Sequence, residues 1–192
     1  MRVRGRFTLL AVCATTAAVA LAGPAWSDII EGSEDDDVIV GTEDVDTIFG
    51  RGGDDRIRGR GLDDLLSGGD GADRVFGQTG ADIVRGQFGP DLVVGGRGKD
   101  EVFGGRKADT VRGKGRADSL YGGSGKDTLF PNRGVDSTFG DNGDDIVVIA
   151  GDGAPDFVDC GAGVDTVTVP DAGAMPDAID TFVNCETTPV VP

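Results

Sequence analysis

Aliphatic residues recur every nine positions along this chain, at Ile30, Ile39, Ile48, Ile57, Leu66, Val75, Val84, Val93, Val102, Val111, Leu120, Leu129 and Val147, with Thr138 breaking the series. Each stands two residues after an aspartate, in an unbroken register of fourteen: Asp28, Asp37, Asp46, Asp55, Asp64, Asp73, Asp82, Asp91, Asp100, Asp109, Asp118, Asp127, Asp136 and Asp145. Four residues after each Asp comes Gly, except where Pro131 and Ile149 intervene. The unit Asp-x-aliphatic-x predicts a short strand with the aliphatic side chain inward and its neighbours outward. The Gly predicts a reversal, because it reaches backbone angles closed to other residues. One inward residue cannot hold a strand by itself. Stacked copies bury a continuous aliphatic column and pair their backbones along the stack, so the pattern predicts an all-β solenoid over 28–150.

The register stops after Asp145. The next matching acids are Asp156 and Asp165, and Pro155, Pro170, Pro176, Pro189 and Pro192 follow, so 151–192 is expected to be an irregular cap over the open end of the stack. At the other end, Arg2, Arg4 and Arg6 precede an apolar run over 7–22 without one acid. Pro24 and the small residues around Trp26 follow it, which reads as a secretory leader, 1–27, cleaved before Asp28. No other apolar run approaches the roughly 18 to 20 residues of a membrane-spanning helix. The product is expected outside the cell, soluble or surface-associated.

Charge changes the picture next. The chain has 18 bases, 34 acids and no His. The acids are concentrated at the two ends: 28–50 carries nine acids and no base, 134–192 twelve acids and no base, and 51–133 thirteen acids with 15 bases. Such a chain attracts cations and repels nucleic acid. Its Gly content, 34 residues, is that of many disordered chains, and only the periodicity argues otherwise. Cys160 and Cys185 remain after leader removal and, in an exported chain, are expected to pair.

Reversal within about five residues brings carboxylates and turn carbonyls together. Oxygen-only ligands suit a hard cation such as Ca²⁺, whereas Zn²⁺ selects His or Cys. The segment Gly68-Gly69-Asp70-Gly71-Ala72-Asp73-Arg74-Val75-Phe76 resembles the G-G-x-G-x-D-x-U-x nonapeptide of repeats-in-toxin (RTX) proteins, and 95–103 and 122–130 match it as fully. The resemblance covers 28–148. It implies a right-handed parallel β-roll of about seven two-repeat turns, with Ca²⁺ held between turns by Asp carboxylates and turn carbonyls. The metal residues it implies are Asp46, Asp55, Asp64, Asp73, Asp82, Asp91, Asp100, Asp109, Asp118, Asp127, Asp136 and Asp145, with the turn glycines Gly68, Gly69, Gly95, Gly96, Gly122 and Gly123. Asp73, Asp100 and Asp127 lie in the most complete turns. Elsewhere Leu62, Lys107 and Arg116 replace the fourth-position Gly and Arg51, Arg60 and Lys114 the second. Those turns are expected to hold calcium poorly, with the bases of 51–133 neutralising part of the Asp ladder instead.

A longer period lies on top. Phe49, Phe76, Phe103 and Phe130 recur every 27 residues, as do Arg58, Arg85 and Arg112. At 18 residues per turn this sets Arg58 beside Phe76, Arg85 beside Phe103 and Arg112 beside Phe130, on alternate sheets. Phe103, Tyr121 and Phe139 align on consecutive rungs as an exposed aromatic strip. The strip reads either as a docking surface for a glycan or partner protein, or as cross-rung stacking that stiffens a thin roll, and the second is favoured. The function expected is extracellular calcium binding coupled to folding. A surface adhesin is the alternative. An enzyme, such as a calcium-dependent polysaccharide lyase, is disfavoured because the repeats consume all but some 45 residues and no His is present to act as a base.

Overall fold

The computed structural model describes residues 28–169 and 180–190, with two short segments at 9–10 and 18–19. Every regular element among them is a strand, and the strands form two parallel sheets. Successive strands alternate between the sheets. One sheet takes Asp46–Gly52, Leu65–Asp70, Ile83–Phe88, Glu101–Arg106, Ser119–Ser124 and Ser137–Asn142; the other takes Arg56–Arg60, Arg74–Thr79, Leu92–Arg97, Thr110–Gly115, Thr128–Arg133 and Ile146–Val148. Neighbours within a sheet are offset by two nonapeptides, as in Val84↔Val102 and Val93↔Val111. The chain is therefore a β-solenoid of about eight turns, consistent with a β-roll.

The aliphatic series forms the core. Ile48, Leu66, Val84, Val102 and Leu120 line one inner face and Ile57, Val75, Val93, Val111 and Leu129 the other, all fully buried. A second inward residue accompanies each of them. Asp precedes the aliphatic residue by two positions, so the same two-residue alternation that turns the aliphatic side chain inward turns the Asp inward as well. Every repeat Asp from Asp46 to Asp145 is buried. The expectation that the aliphatic residue alone faces in is corrected on this point, and the parity of the spacing is the reason.

The strands run past residue 150, where irregular chain was expected. Phe157–Asp159 pairs with Ser137–Asn142 and Thr166–Thr168 with Ile146–Val148; Thr181–Val183 and Thr187–Val190 then extend the two sheets again. Two extra residues between Asp145 and Asp156 shift the period without breaking the stack, because they bulge into the loop 150–155. The disulfide Cys160–Cys185 fastens this end, with a Cα–Cα distance of 5.1 Å and Cys160 buried in the aliphatic column. At the opposite end, the expected leader falls almost wholly outside the described residues. Of it, Leu9–Leu10 pairs with Asp28–Glu31 and Ala18–Val19 with Val38–Val40.

Candidate metal centre

Each buried aspartate uses its two oxygens differently. Oδ1 accepts the backbone N–H of the aspartate one turn earlier. One such ladder runs from Asp37 N–H to Asp55, Asp55 to Asp73, Asp73 to Asp91, Asp91 to Asp109, Asp109 to Asp127 and Asp127 to Asp145, each at 2.8 Å. The other runs from Asp46 to Asp64, Asp82, Asp100, Asp118 and Asp136 at 2.8 to 3.0 Å. Both pass beyond the repeats. Asp136 and Asp145 donate to Asp156 and Asp165, and these donate in turn to Asp180 Oδ1 at 2.9 Å and Glu186 Oε2 at 2.8 Å. Asp180 and Glu186 thus terminate the ladders, a role hidden from the sequence by separations of 24 and 21 residues.

Oδ2 has no hydrogen-bond partner in the described structure at Asp55, Asp64, Asp73, Asp82, Asp91, Asp100, Asp109, Asp118, Asp127, Asp136, Asp145 and Asp156. A buried carboxylate oxygen without a donor is costly and calls for a cation. The inward Gly that follows each strand supplies the space. A Cβ built on Gly104 meets Asp109 Oδ2 at 2.8 Å and the carbonyl of Gly122 at 2.6 Å; one built on Gly122 meets Asp127 Oδ2 at 2.8 Å and the carbonyl of Gly140 at 2.7 Å. At these glycines, therefore, a carboxylate oxygen and a carbonyl from the next turn converge, and any side chain would displace them. The same convergence sets the Gly95 carbonyl near Asp82 Oδ2 and the Pro131 carbonyl near Asp118 Oδ2. Among the described residues no three acidic, His or Cys side chains cluster as a metal group. A cation here must be held by carboxylate and backbone oxygen together, and that hard, His-free donor set fits Ca²⁺.

Gly69, Gly96 and Gly123, in the second turn position, have φ of 126°, 134° and 105°. Arg51, Arg60, Gln78, Gln87, Lys114, Asn132 and Asp141 adopt the same left-handed region there, as do Leu62, Lys107 and Arg116 two positions on. The non-glycine turns thus carry strain rather than a different shape, and the Oδ2 atoms of Asp55, Asp64, Asp109 and Asp118 behind them are placed like the rest. Nor do the bases neutralise the ladder. Arg51 pairs with Glu31, and among the described residues no Arg or Lys of 51–133 forms an ion pair with a buried aspartate, twelve of the 15 bases being exposed and none buried. The expected self-neutralised centre is corrected: the ladder meets backbone N–H groups, and the bases line the outside.

Burial pushes the ladder carboxyls up, opposed by the N–H bond to Oδ1 and reinforced by neighbouring carboxylates. Asp109 and Asp118 rise to about 8, Asp55, Asp64 and Asp156 to about 7, and Asp82, Asp91, Asp100, Asp127, Asp136 and Asp145 to about 6.

A family model for the RTX calcium-binding nonapeptide repeat matches residues 27–57, 50–84, 58–93, 76–111, 103–138 and 112–147. The chain belongs to this family. No curated protein matches the RTX chain in a sequence search. Its first two repeats depart from the others in one respect. In the second turn position Ser33 and Thr42 bring a hydroxyl, and they donate to the very oxygen left without a donor elsewhere: Ser33 N–H and Oγ to Asp37 Oδ2 at 2.6 and 2.9 Å, Thr42 N–H and Oγ1 to Asp46 Oδ2 at 2.6 and 3.1 Å. Asp46, one of the twelve sequence-based metal candidates, is therefore satisfied through that oxygen by Thr42.

The outward superperiod is in place as well. Arg58 is in register with Phe76, Arg85 lies 5.0 Å from the Phe103 centroid and Arg112 4.7 Å from that of Phe130. Phe103 and Tyr121 stack at 4.7 Å with planes 6° apart, Tyr121 and Phe139 at 5.0 Å and 8°, and Phe157 extends the column at 5.9 Å, tilted.

Proposed function

We propose that this RTX protein is an exported calcium-binding structural module whose roll forms when Ca²⁺ fills the Oδ2 ladder. The observation that carries the reading is the unbroken run of buried, donorless Oδ2 atoms from Asp55 to Asp145. Asp55 through Asp145 would hold the ions with carbonyls such as those of Gly95 and Gly122, and the bound cation would supply positive charge where the apo fold has none. Without it the carboxylates repel one another inside a core of one aliphatic residue per repeat, which favours the unfolded chain. Extracellular calcium modules typically bind at about 10⁻⁴ to 10⁻³ M, a range that separates synthesis from folding.

The adhesin reading, through Phe103, Tyr121 and Phe139, is less well supported. The rings are half-buried and their faces are occupied by one another, so a sugar finds only their edges, and cross-rung stiffening accounts for the column. Calorimetric titration of the purified chain tests the proposal. Saturable uptake of several Ca²⁺ per chain, with Mg²⁺ a poor substitute, is expected, and absence of calcium uptake at millimolar concentration would refute it.

A further inference from the structure

Burial of the ladder changes the sign of the middle of the molecule. Of the thirteen acids in 51–133, the nine ladder aspartates are buried, leaving Asp54, Asp63, Asp70 and Glu101 outside against 15 bases. An acidic chain thereby presents a basic outer surface over its central turns. The bases are not evenly spread. Turns that lead from the second sheet to the first carry Arg97, Lys99, Lys114, Arg116 and Arg133 over three consecutive rungs, all exposed and without an acid in 96–99, 114–117 or 132–135. Arg97, Gly115 and Arg133 are in register, so these five cations follow the stack axis over roughly 10 Å, two rung spacings. None of the five has an ion-pair partner among the described residues. The opposite row of turns differs. There Arg106 packs over Phe88 at 4.9 Å, and Asp54 and Asp70 on one side and Asp141 and Asp144 on the other flank Lys107 and Lys126, whereas a single acid borders the first row at each end, Asp63 beside Ala81 and Asp152 beside Gly134.

We propose that this basic edge binds a linear acidic polysaccharide laid along the stack axis. Cations repeated at the rung spacing complement a polymer with anionic groups at regular intervals. The edge holds no aromatic ring on which a nucleobase could stack, and its apolar residues, Ala117 and Val135, are too small to enter a lipid surface. A sulfated or carboxylated glycan needs neither. Calcium assists indirectly, since ions bound in the ladder cancel the buried negative charge behind the edge.

The test uses the full chain at saturating calcium, with the fold of each sample checked by circular dichroism and dextran sulfate as the probe. Arg97→Glu with Arg133→Glu reverses charge on the basic edge; Arg106→Glu with Lys126→Glu makes the same change in net charge on the other row. The first pair is expected to weaken binding at least tenfold and the second less than twofold, with neutral dextran unbound and the affinity falling steeply with salt. Equal losses in both variants, no binding of dextran sulfate at low salt, or equal affinity for duplex DNA or anionic vesicles would overturn the proposal. If a charge-reversed protein does not fold, Arg97→Gln with Arg133→Gln and Arg106→Gln with Lys126→Gln read the same contrast.

Discussion

The backbone N–H of Asp91 donates to Oδ1 of Asp109, one full turn later, at 2.8 Å, while Oδ2 of Asp109 lies buried without a donor. One carboxylate therefore has two separable parts: one oxygen ties adjacent rungs together, and the other is the atom that the proposed function assigns to calcium. Asp109→Asn keeps an acceptor for the Asp91 N–H and removes the charge, whereas Asp109→Ala removes both. At saturating calcium, Asp109→Ala is expected to be less stable than Asp109→Asn by about 1–3 kcal/mol, the cost of a buried unpaired donor. Urea denaturation measures the difference, and equal stabilities would deny the rung-tying role.

The pH dependence follows from the raised carboxyls. A group whose acid form is favoured on folding takes up protons as the chain folds, so the metal-free roll is most stable below the ordinary carboxylate range, near 4, and loses stability as pH rises through the folded values of about 6 to 8. In chelator, β-sheet ellipticity is expected to grow as pH falls from 8 to 5. With calcium present the order reverses in affinity, because protons compete for the same Oδ2 atoms. Flat ellipticity in chelator over this range would contradict the assignment.

Thr138 is the one non-aliphatic member of the nine-residue series from Ile30 to Val147, fully buried with its Oγ1 unpartnered. Replacing it by Val removes an unsatisfied hydroxyl at constant volume beside Leu120 and Val158. Thr138→Val is expected to stabilise the calcium-loaded protein by about 1 kcal/mol in thermal or urea denaturation.

Much of this was legible in the sequence. The nine-residue register located the strands, and the two-repeat turn implied by the family resemblance placed Arg85 beside Phe103 and Phe103 beside Tyr121 as found. Cys160 and Cys185 pair as the compartment argument expected. What stayed hidden has physical causes. The parity that buries the aspartates is in the spacing but runs against the habit of placing charge outside. Asp180 and Glu186 continue the ladders through insertions that shift any fixed period, since backbone pairing constrains where a strand lies and not how many residues loop out before it. Arg51 and Gln78 hold a left-handed turn, with φ of 85° each, because the neighbouring turns enforce it, and no residue-type signal announces that.

At the N-terminal end Ser33 and Thr42 donate to the Oδ2 atoms that lack a donor along the rest of the ladder. Ser33→Ala with Thr42→Ala removes the two hydroxyl donors to Asp37 and Asp46 and is expected to cost about 1 kcal/mol per bond. Amide exchange should rise over the first rungs while the number of calcium ions bound stays the same. A fall in that number would place a cation where the hydroxyls now stand.

Folding linked to metal is the central claim, and circular dichroism of the purified chain during calcium titration tests it most directly. A cooperative gain of β-sheet signal as calcium rises to the millimolar range, reversed by chelator, is the predicted result. A chain with full β-sheet signal in chelator at pH 8, unchanged by calcium, would contradict it.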